Sequence, residues 1–233
     1  MQFNCPQTIL IRAQVPLKIT MKHFKNAGGA IAIKRAIEAI QQNKDYLGMA
    51  DGEIGDGDHG VNMNKGFSMA GERIEARHGF SDASKILAEA LMGEIGGSMG
   101  PLYGSFFKTL WRHSRNLEKI DARQYLEMLK AATTSVKEIG GAKMGDKTLV
   151  DTLEPACTAF EKALDSGSDF DAALTASTKA AEMGRDSTKE MIAQIGRSAR
   201  LGERSRGVLD AGAASCFIII ESMHSAILGI LCD

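Results

Sequence analysis

Apolar residues in this chain recur mostly at intervals of three and four, the spacing of one buried helix face, and hardly anywhere in the alternation of a strand. From Ala27 to Tyr46, Ile31, Ile33, Ile37 and Ile40 keep largely to that spacing, leaving Lys34, Arg35, Glu38 and Gln41 for solvent. The same pattern predicts helices over roughly 60–78, 82–95, 101–117, 122–139, 147–166, 169–195 and 210–231, making eight. Ser81 with Asp82, Asp121 and Asp169 offer capping oxygens at three predicted starts, and Gly140 and Gly141 close the helix ending at Ile139. Short connections between long amphipathic helices favour antiparallel neighbours, so the expectation is one all-α domain without repeats or linkers.

Residues 1–20 differ. TILIRAQVPLKIT alternates like a weak strand with no second strand to pair with, and Met21 restarts the chain before the first helix. Residues 1–24 are therefore read as an N-terminal arm or start-site extension, and 25–233 as the folded domain.

With 44% apolar and 24% charged residues, and 28 basic against 29 acidic side chains, the composition is that of a globular protein without a bulk field. That argues against charge-driven binding to nucleic acid or a membrane surface. Cys5, Cys157, Cys216 and Cys232 form no CxxC pair, so reduced thiols and a cytoplasmic location are expected. The longest apolar run, Cys216 to Ile220, is broken by Glu221 and His224 and reads as a buried helix, not a membrane span.

Four glycine-rich stretches carry the candidate chemistry. In DGEIGDGDHGVNMN, Asp51, Asp56 and Asp58 stand among glycines at the start of a helix. A helix N-cap explains one aspartate but not three, because like charges repel and each glycine loses entropy on ordering. Something cationic should offset them. Counted from Asp51, an EF-hand would need Gly and Glu where Asp56 and Asn62 stand, which leaves a hard-cation site of few carboxylates, the kind magnesium completes with water and phosphate.

The second stretch, GGSMGPLYG, opens a helix whose amides could hold an anion, or it is close helix packing through small residues. GGAKMGDKT fails as a P-loop, since Asp146 separates Gly145 from Lys147 and a helix precedes it. The fourth stretch holds Arg197, Arg200, Arg204 and Arg206, either a solvated turn or the positive charge a phosphate site needs. His59 adjoins the metal candidate in a direct, capping or packing role. No GxSxG elbow or Cys/His nucleophile signature is present.

DGEIGDGDHGVNMNKGF, GGSMGPLYG, GDKTLVDTLEPA and GRSARLGERSRG, in this order, resemble the nucleotide-binding L subunit (DhaL type) of dihydroxyacetone kinase over about residues 25–231. The resemblance implies an eight-helix antiparallel up-and-down barrel with nucleotide at one end. By the same resemblance Asp51, Asp56 and Asp58 would bind two Mg²⁺ bridging the phosphates of ATP or ADP, and His59, Gly60, Val61 and Asn62 would line the nucleotide. Ser98 and Met99 would hold phosphate, Gly140 and Leu149 would border adenine, and Arg197 with Asp210, Ala211 and Gly212 would close the site.

The ketose would be held by a separate K subunit, with ATP or an M-type protein of the phosphotransferase system as donor, and the L subunit would form a homodimer. Met99 stands where the family often has Ser, Arg200 where it has Tyr, and Val208 to Ala213 where it has His-x-Asp-Pro-Gly-Ala. If those positions bear on substrate or donor, the ketose would differ, a tetrulose for example, or the donor would. Two other readings compete: a module of a related kinase such as fatty-acid kinase, whose loop has Thr where His59 stands, and an interaction protein that binds metal without turnover.

Overall fold

The computed structural model describes residues 22–233. Nine α-helices lie among them: α1 (Ala30–Gln42), α2 (Lys44–Gly52), α3 (His59–Arg73), α4 (Phe80–Glu94), α5 (Met99–Ser114), α6 (Ala122–Gly140), α7 (Val150–Asp165), α8 (Phe170–Ser187) and α9 (Ala211–Leu228). Two short strands, β1 (His23–Lys25) and β2 (Lys119–Asp121), pair antiparallel with Phe24 opposite Ile120. Each long helix packs on the next, and α9 returns to α1, so α1 and α3–α9 close a ring with α2 inserted between α1 and α3.

Successive helices of the ring run in opposite directions. At one end the β1–β2 pair, the His23–Cys232 bridge and Asn26 tie chain segments together; the Asn26 amide donates to the carbonyls of Ser114 and Leu117 and its Oδ1 accepts from Ser81 N–H. Phe24, fully buried, meets Phe80, Tyr125 and Phe170 there with ring centroids 5.4–6.4 Å apart. Truncating Phe24 to alanine would cost about 3–5 kcal/mol, as for other large-to-small core changes. The opposite end gathers the start of α3, α5, α7 and α9.

The caps follow local chemistry. Asp121 accepts from Gln124 N–H at the start of α6 and Asp169 from Ala172 N–H at α8, while Gly141 ends α6 at φ +62°. Ser81 and Asp82 stand inside α4 instead of before it, and the Asp82 carboxylate reaches back to Gly79 N–H. Within α7, Pro155 has no amide to donate to the Asp151 carbonyl, and α8 comes close at that point because residue 184 is glycine: a Cβ there would sit 2.1 Å from that oxygen.

The predicted helix 27–46 is two helices. Asn43 leaves the helical region and its side-chain amide caps the Ala39 carbonyl, after which α2 restarts and carries Asp51 in its last turn. The helix predicted from 147 starts at Val150, and the one predicted to 195 ends at Ser187, followed by 3₁₀ turns at Thr188–Glu190 and Ser198–Ser205. Of the expected N-terminal arm, residues 1–21 lie outside the described residues, and Phe24 is part of the core. α9 is long and apolar enough by composition to cross a membrane, but two thirds of it is buried against the other helices.

Candidate functional site

The corner between α2 and α3 is built by glycines. A Cβ at Gly60 would lie 2.0 Å from the Lys44 carbonyl oxygen and 2.7 Å from Gly48 N, so only glycine lets α3 start against the side of α2. Gly57, at φ +75°, turns the connection, and Gly55 N–H bonds the Asp51 carbonyl at 2.5 Å. As a result Asp51 from α2 and Asp56 and Asp58 from the connection bring carboxylate oxygens within 4.8 Å of one another. Asp58 occupies the N-cap position of α3 but makes no capping hydrogen bond with its side chain.

Three carboxylates at that separation repel unless a cation lies among them. Among the described residues, the positive charge in contact with the cluster is Arg197, whose guanidinium meets Asp56; His59 N–H adds a 3.3 Å bond to Asp51. An all-oxygen donor set, half exposed and under-neutralised, fits a hard divalent cation.

These groups lie on a cleft of about 580 Å³ at the end of the ring. One wall is apolar, formed by Leu102, Val136, Ile139, Ala142, Leu149 and Ile195 beside Gly140. The start of α5 borders the same cleft; there Gly97 has φ +75° and Ser98, at the N-cap, makes no side-chain capping bond. Its glycines divide the work: a Cβ at Gly100 would meet the Leu91 carbonyl at 2.7 Å and one at Gly104 would meet Met92, whereas Gly96 has open space around it. Both close packing and an open amide turn are therefore present in that stretch. Of the four arginines only Arg197 lines the cleft; Arg206 pairs with Glu203 and donates to the Glu190 carbonyl.

Beneath the cleft a buried polar chain runs from His59 Nε2 to Ser215 Oγ at 2.9 Å and on to the Tyr103 hydroxyl at 2.6 Å, which also bonds the Gly212 carbonyl. Burial lowers the His59 pKa to about 4 against the pull of Asp51, so the ring is neutral near pH 7 and sits as a wedge between α3 and α9. Burial raises the Asp210 carboxyl to about 7, although it caps α9 through Ala213 N–H and feels Lys147.

Asp51, Asp56, Asp58, His59, Ser98, Met99, Gly140, Leu149, Arg197, Asp210, Ala211 and Gly212 all border the cleft. Gly60, Val61 and Asn62 do not: Gly60 is buried against α2 and Val61 faces out with 55% of its surface exposed. Of the apolar wall the sequence reading held only Leu149 and the adjoining Gly140; its other members and the His59–Ser215–Tyr103 chain escaped it, because they join side chains of ordinary core type from segments far apart in the chain.

The family described as the DAK2 domain matches residues 53–225. The chain is 33% identical over 196 residues to the ADP-binding subunit DhaL of PEP-dependent dihydroxyacetone kinase 2 from Listeria innocua, covering 81% of this chain and 90% of that one. It is 32% identical to the corresponding subunit from Escherichia coli, covering 83% and 93%. An L-erythrulose kinase from Pectobacterium atrosepticum matches at 32% over 85% of this chain, which spans about a third of its length. Among solved structures, the dihydroxyacetone kinase of C. freundii in complex with AMP-PNP and Mg²⁺ superimposes with a TM-score of 0.65 at 19% identity, over 97% of this chain and 38% of the other.

Proposed function

Since this chain belongs to the DAK2-domain family and is a DhaL-type member of it, we propose that the cleft binds a magnesium–adenine nucleotide and that the protein is the nucleotide-binding subunit of a kinase acting on dihydroxyacetone or a related short ketose. The observation that carries this reading is the juxtaposition of three carboxylates, within 4.8 Å of one another, with an apolar wall and an open helix start around one cleft. Asp51, Asp56 and Asp58 would hold two Mg²⁺, whose charge would neutralise the phosphate oxygens of ATP or ADP. The adenine would lie between Leu149 and the wall at Gly140, and the amides at Ser98 and Met99 would face phosphate.

Arg197, now against Asp56, would turn its guanidinium to the phosphates once metal neutralises the carboxylates, adding charge where a loose transition state needs it. Among the described residues the cleft lining pairs no serine, cysteine or histidine with a base as a nucleophile, and His59 is neutral and committed to the buried Ser215 beneath it. That supports a division of labour in which a separate K-type subunit presents the ketose hydroxyl and this chain presents the phosphoryl group. The relatives' names, ADP-binding subunit and PEP-dependent, favour a bound ADP recharged by a phosphotransferase-system protein; ATP used directly is the other donor.

The test is to purify the chain with Mg²⁺, desalt it thoroughly, denature it and count released nucleotide. Near-stoichiometric ADP means a coenzyme held through turnover, and an empty site that binds ATP reversibly means a conventional kinase subunit. A chain that neither carries nor binds either nucleotide overturns the proposal in favour of a metal-binding interaction protein.

A further inference from the structure

Lys147 belongs to the stretch that resembles a P-loop without being one, and its surroundings are unlike those of a phosphate-binding lysine. It is buried, 1% exposed, and its backbone is held at φ +63°, a conformation that side chains other than glycine rarely adopt. Its ammonium donates to the carbonyl oxygens of Val208 at 2.6 Å, Thr188 at 2.7 Å and Ser205 at 2.7 Å, with Met191 a fourth at 3.3 Å. Three N–H donors meet three short acceptors, so the ammonium is saturated by backbone and has nothing to offer a phosphate.

All four carbonyls come from one segment, 188–208, which leaves α8, passes Arg197 and returns to α9. Across the segment Ser205 Oγ takes Ala193 N–H, Gly207 N–H bonds the Lys189 carbonyl and Arg206 donates to the Glu190 carbonyl, while Asp210 N–H bonds Thr188 Oγ1 and Gln194 N–H bonds the Asp146 carbonyl beside Lys147. The turn that carries Lys147 is itself fixed, since the buried Asp151 carboxylate accepts from Gly145 N–H at 2.6 Å and Thr148 N–H at 2.8 Å. A rigid turn on α7 thus plants one cation into a ring of carbonyls at the base of the segment that carries the arginine.

We infer that Lys147 is a positioning residue: its ammonium nucleates the 188–208 loop from within and sets where Arg197 stands over the cleft. Deleting the charge leaves buried carbonyls without a donor, and the loop loses its centre while the helical ring keeps its own packing. The inference rests on the nucleotide-binding reading only for its consequence at the ligand; the effect on the loop stands without any nucleotide.

The experiment is hydrogen–deuterium exchange, read by mass spectrometry on the full chain, of wild type and Lys147→Met, which keeps the stem and removes the charge. Amides of 188–208 should exchange at least tenfold faster in the variant while the helices stay as in wild type, and Mg–ADP affinity should fall at least tenfold. As a second variant, Lys147→Ala opens space for propylammonium, which should restore the loop's protection in a concentration-dependent way. Unchanged protection of 188–208 in Lys147→Met overturns the inference. So does uniformly faster exchange in all helices with no recovery of Lys147→Ala by propylammonium, which would make the lysine a global structural part. Wild type that binds no Mg–ADP sinks the nucleotide reading alone, because the exchange result is read without ligand.

Discussion

Gly60→Ala separates the helices that assemble the carboxylate cluster. The added methyl would start 2.0 Å from the Lys44 carbonyl oxygen and 2.7 Å from Gly48 N, both backbone, so no side chain can swing away. Ordinary contact begins at 3.4 Å, and α2 must retreat from α3 by more than an ångström to reach it. Overpacking of this kind costs about 1–3 kcal/mol, against which alanine's helix propensity returns about 1 kcal/mol. Gly93→Ala in α4, with nothing within 4 Å of its Cβ, gains the propensity without the clash.

The difference between the two variants, about 1–3 kcal/mol, corresponds to a Tm gap of about 2–12 °C for a chain of this size. Asp51 travels with α2 while Asp58 stays with α3, so the oxygens now within 4.8 Å spread and one ligand is displaced. Calorimetric titration of Mg²⁺ in the presence of ADP should show at least a tenfold weaker affinity for Gly60→Ala and an unchanged one for Gly93→Ala. If Gly60→Ala melts with Gly93→Ala and binds within twofold of wild type, the close α2–α3 approach does not build the site.

Asp58→Asn keeps a hydrogen-bonding group but removes a charge from the cluster; Mg-dependent nucleotide binding should be lost with little change in Tm, and retained binding would refute the metal assignment. His224 is buried with its Nε2 unpaired and its pKa held by burial near 4, below the unfolded value of about 6.5. The unfolded chain therefore binds the extra proton between those values, and the stability present above pH 6.5 is lost as pH falls toward 4, by up to about 1.4 kcal/mol per pH unit. Denaturant midpoints for His224→Phe should fall less steeply over that range than those of wild type, and parallel slopes would contradict the assignment. Cys157 and Cys216 are buried with their thiol pKa values pushed up, Cys157 to about 11, whereas Cys232 is exposed. Iodoacetamide at pH 8 should label Cys232 well before either, as read by peptide mass spectrometry.

Most helices were legible because burial imposes its period on them, α9 because it is an apolar run buried nearly all round, and the aspartate loop because three charges among glycines have few structural uses. The break at Asn43 was not. Ile40, Leu47 and Ala50 continue the buried stripe in phase across it, so the pattern of residues is the same for one helix or two. β1 and β2, three residues each, are too short to show a period of two. The role of Lys147 left no trace in composition, because its partners are backbone carbonyls 41 to 61 residues away and any residue type supplies those. What the sequence displays is side-chain chemistry; what the structure adds is the backbone that this chemistry meets.

The direction of the helices explains why an anionic ligand suits this end of the ring. An up-and-down arrangement sends every second helix toward the cleft with its N-terminus, here α3, α5, α7 and α9, each bringing unpaired amides and partial positive charge. Three of the four are answered from within, α9 by the Asp210 carboxylate on Ala213 N–H, α7 by the Thr148 hydroxyl on Val150 N–H and α3 by the Asp51 carboxylate on His59 N–H. α5 makes no side-chain capping bond at Ser98. The start of α3 adjoins the carboxylate cluster, and the start of α5 borders the same cleft. A ligand that sets a cation among the carboxylates and phosphate oxygens against the α5 amides meets both at once. Free phosphate would face the three aspartates unshielded, and a cation alone would leave the α5 amides unmet, so metal and nucleotide should bind far more tightly together than either does by itself.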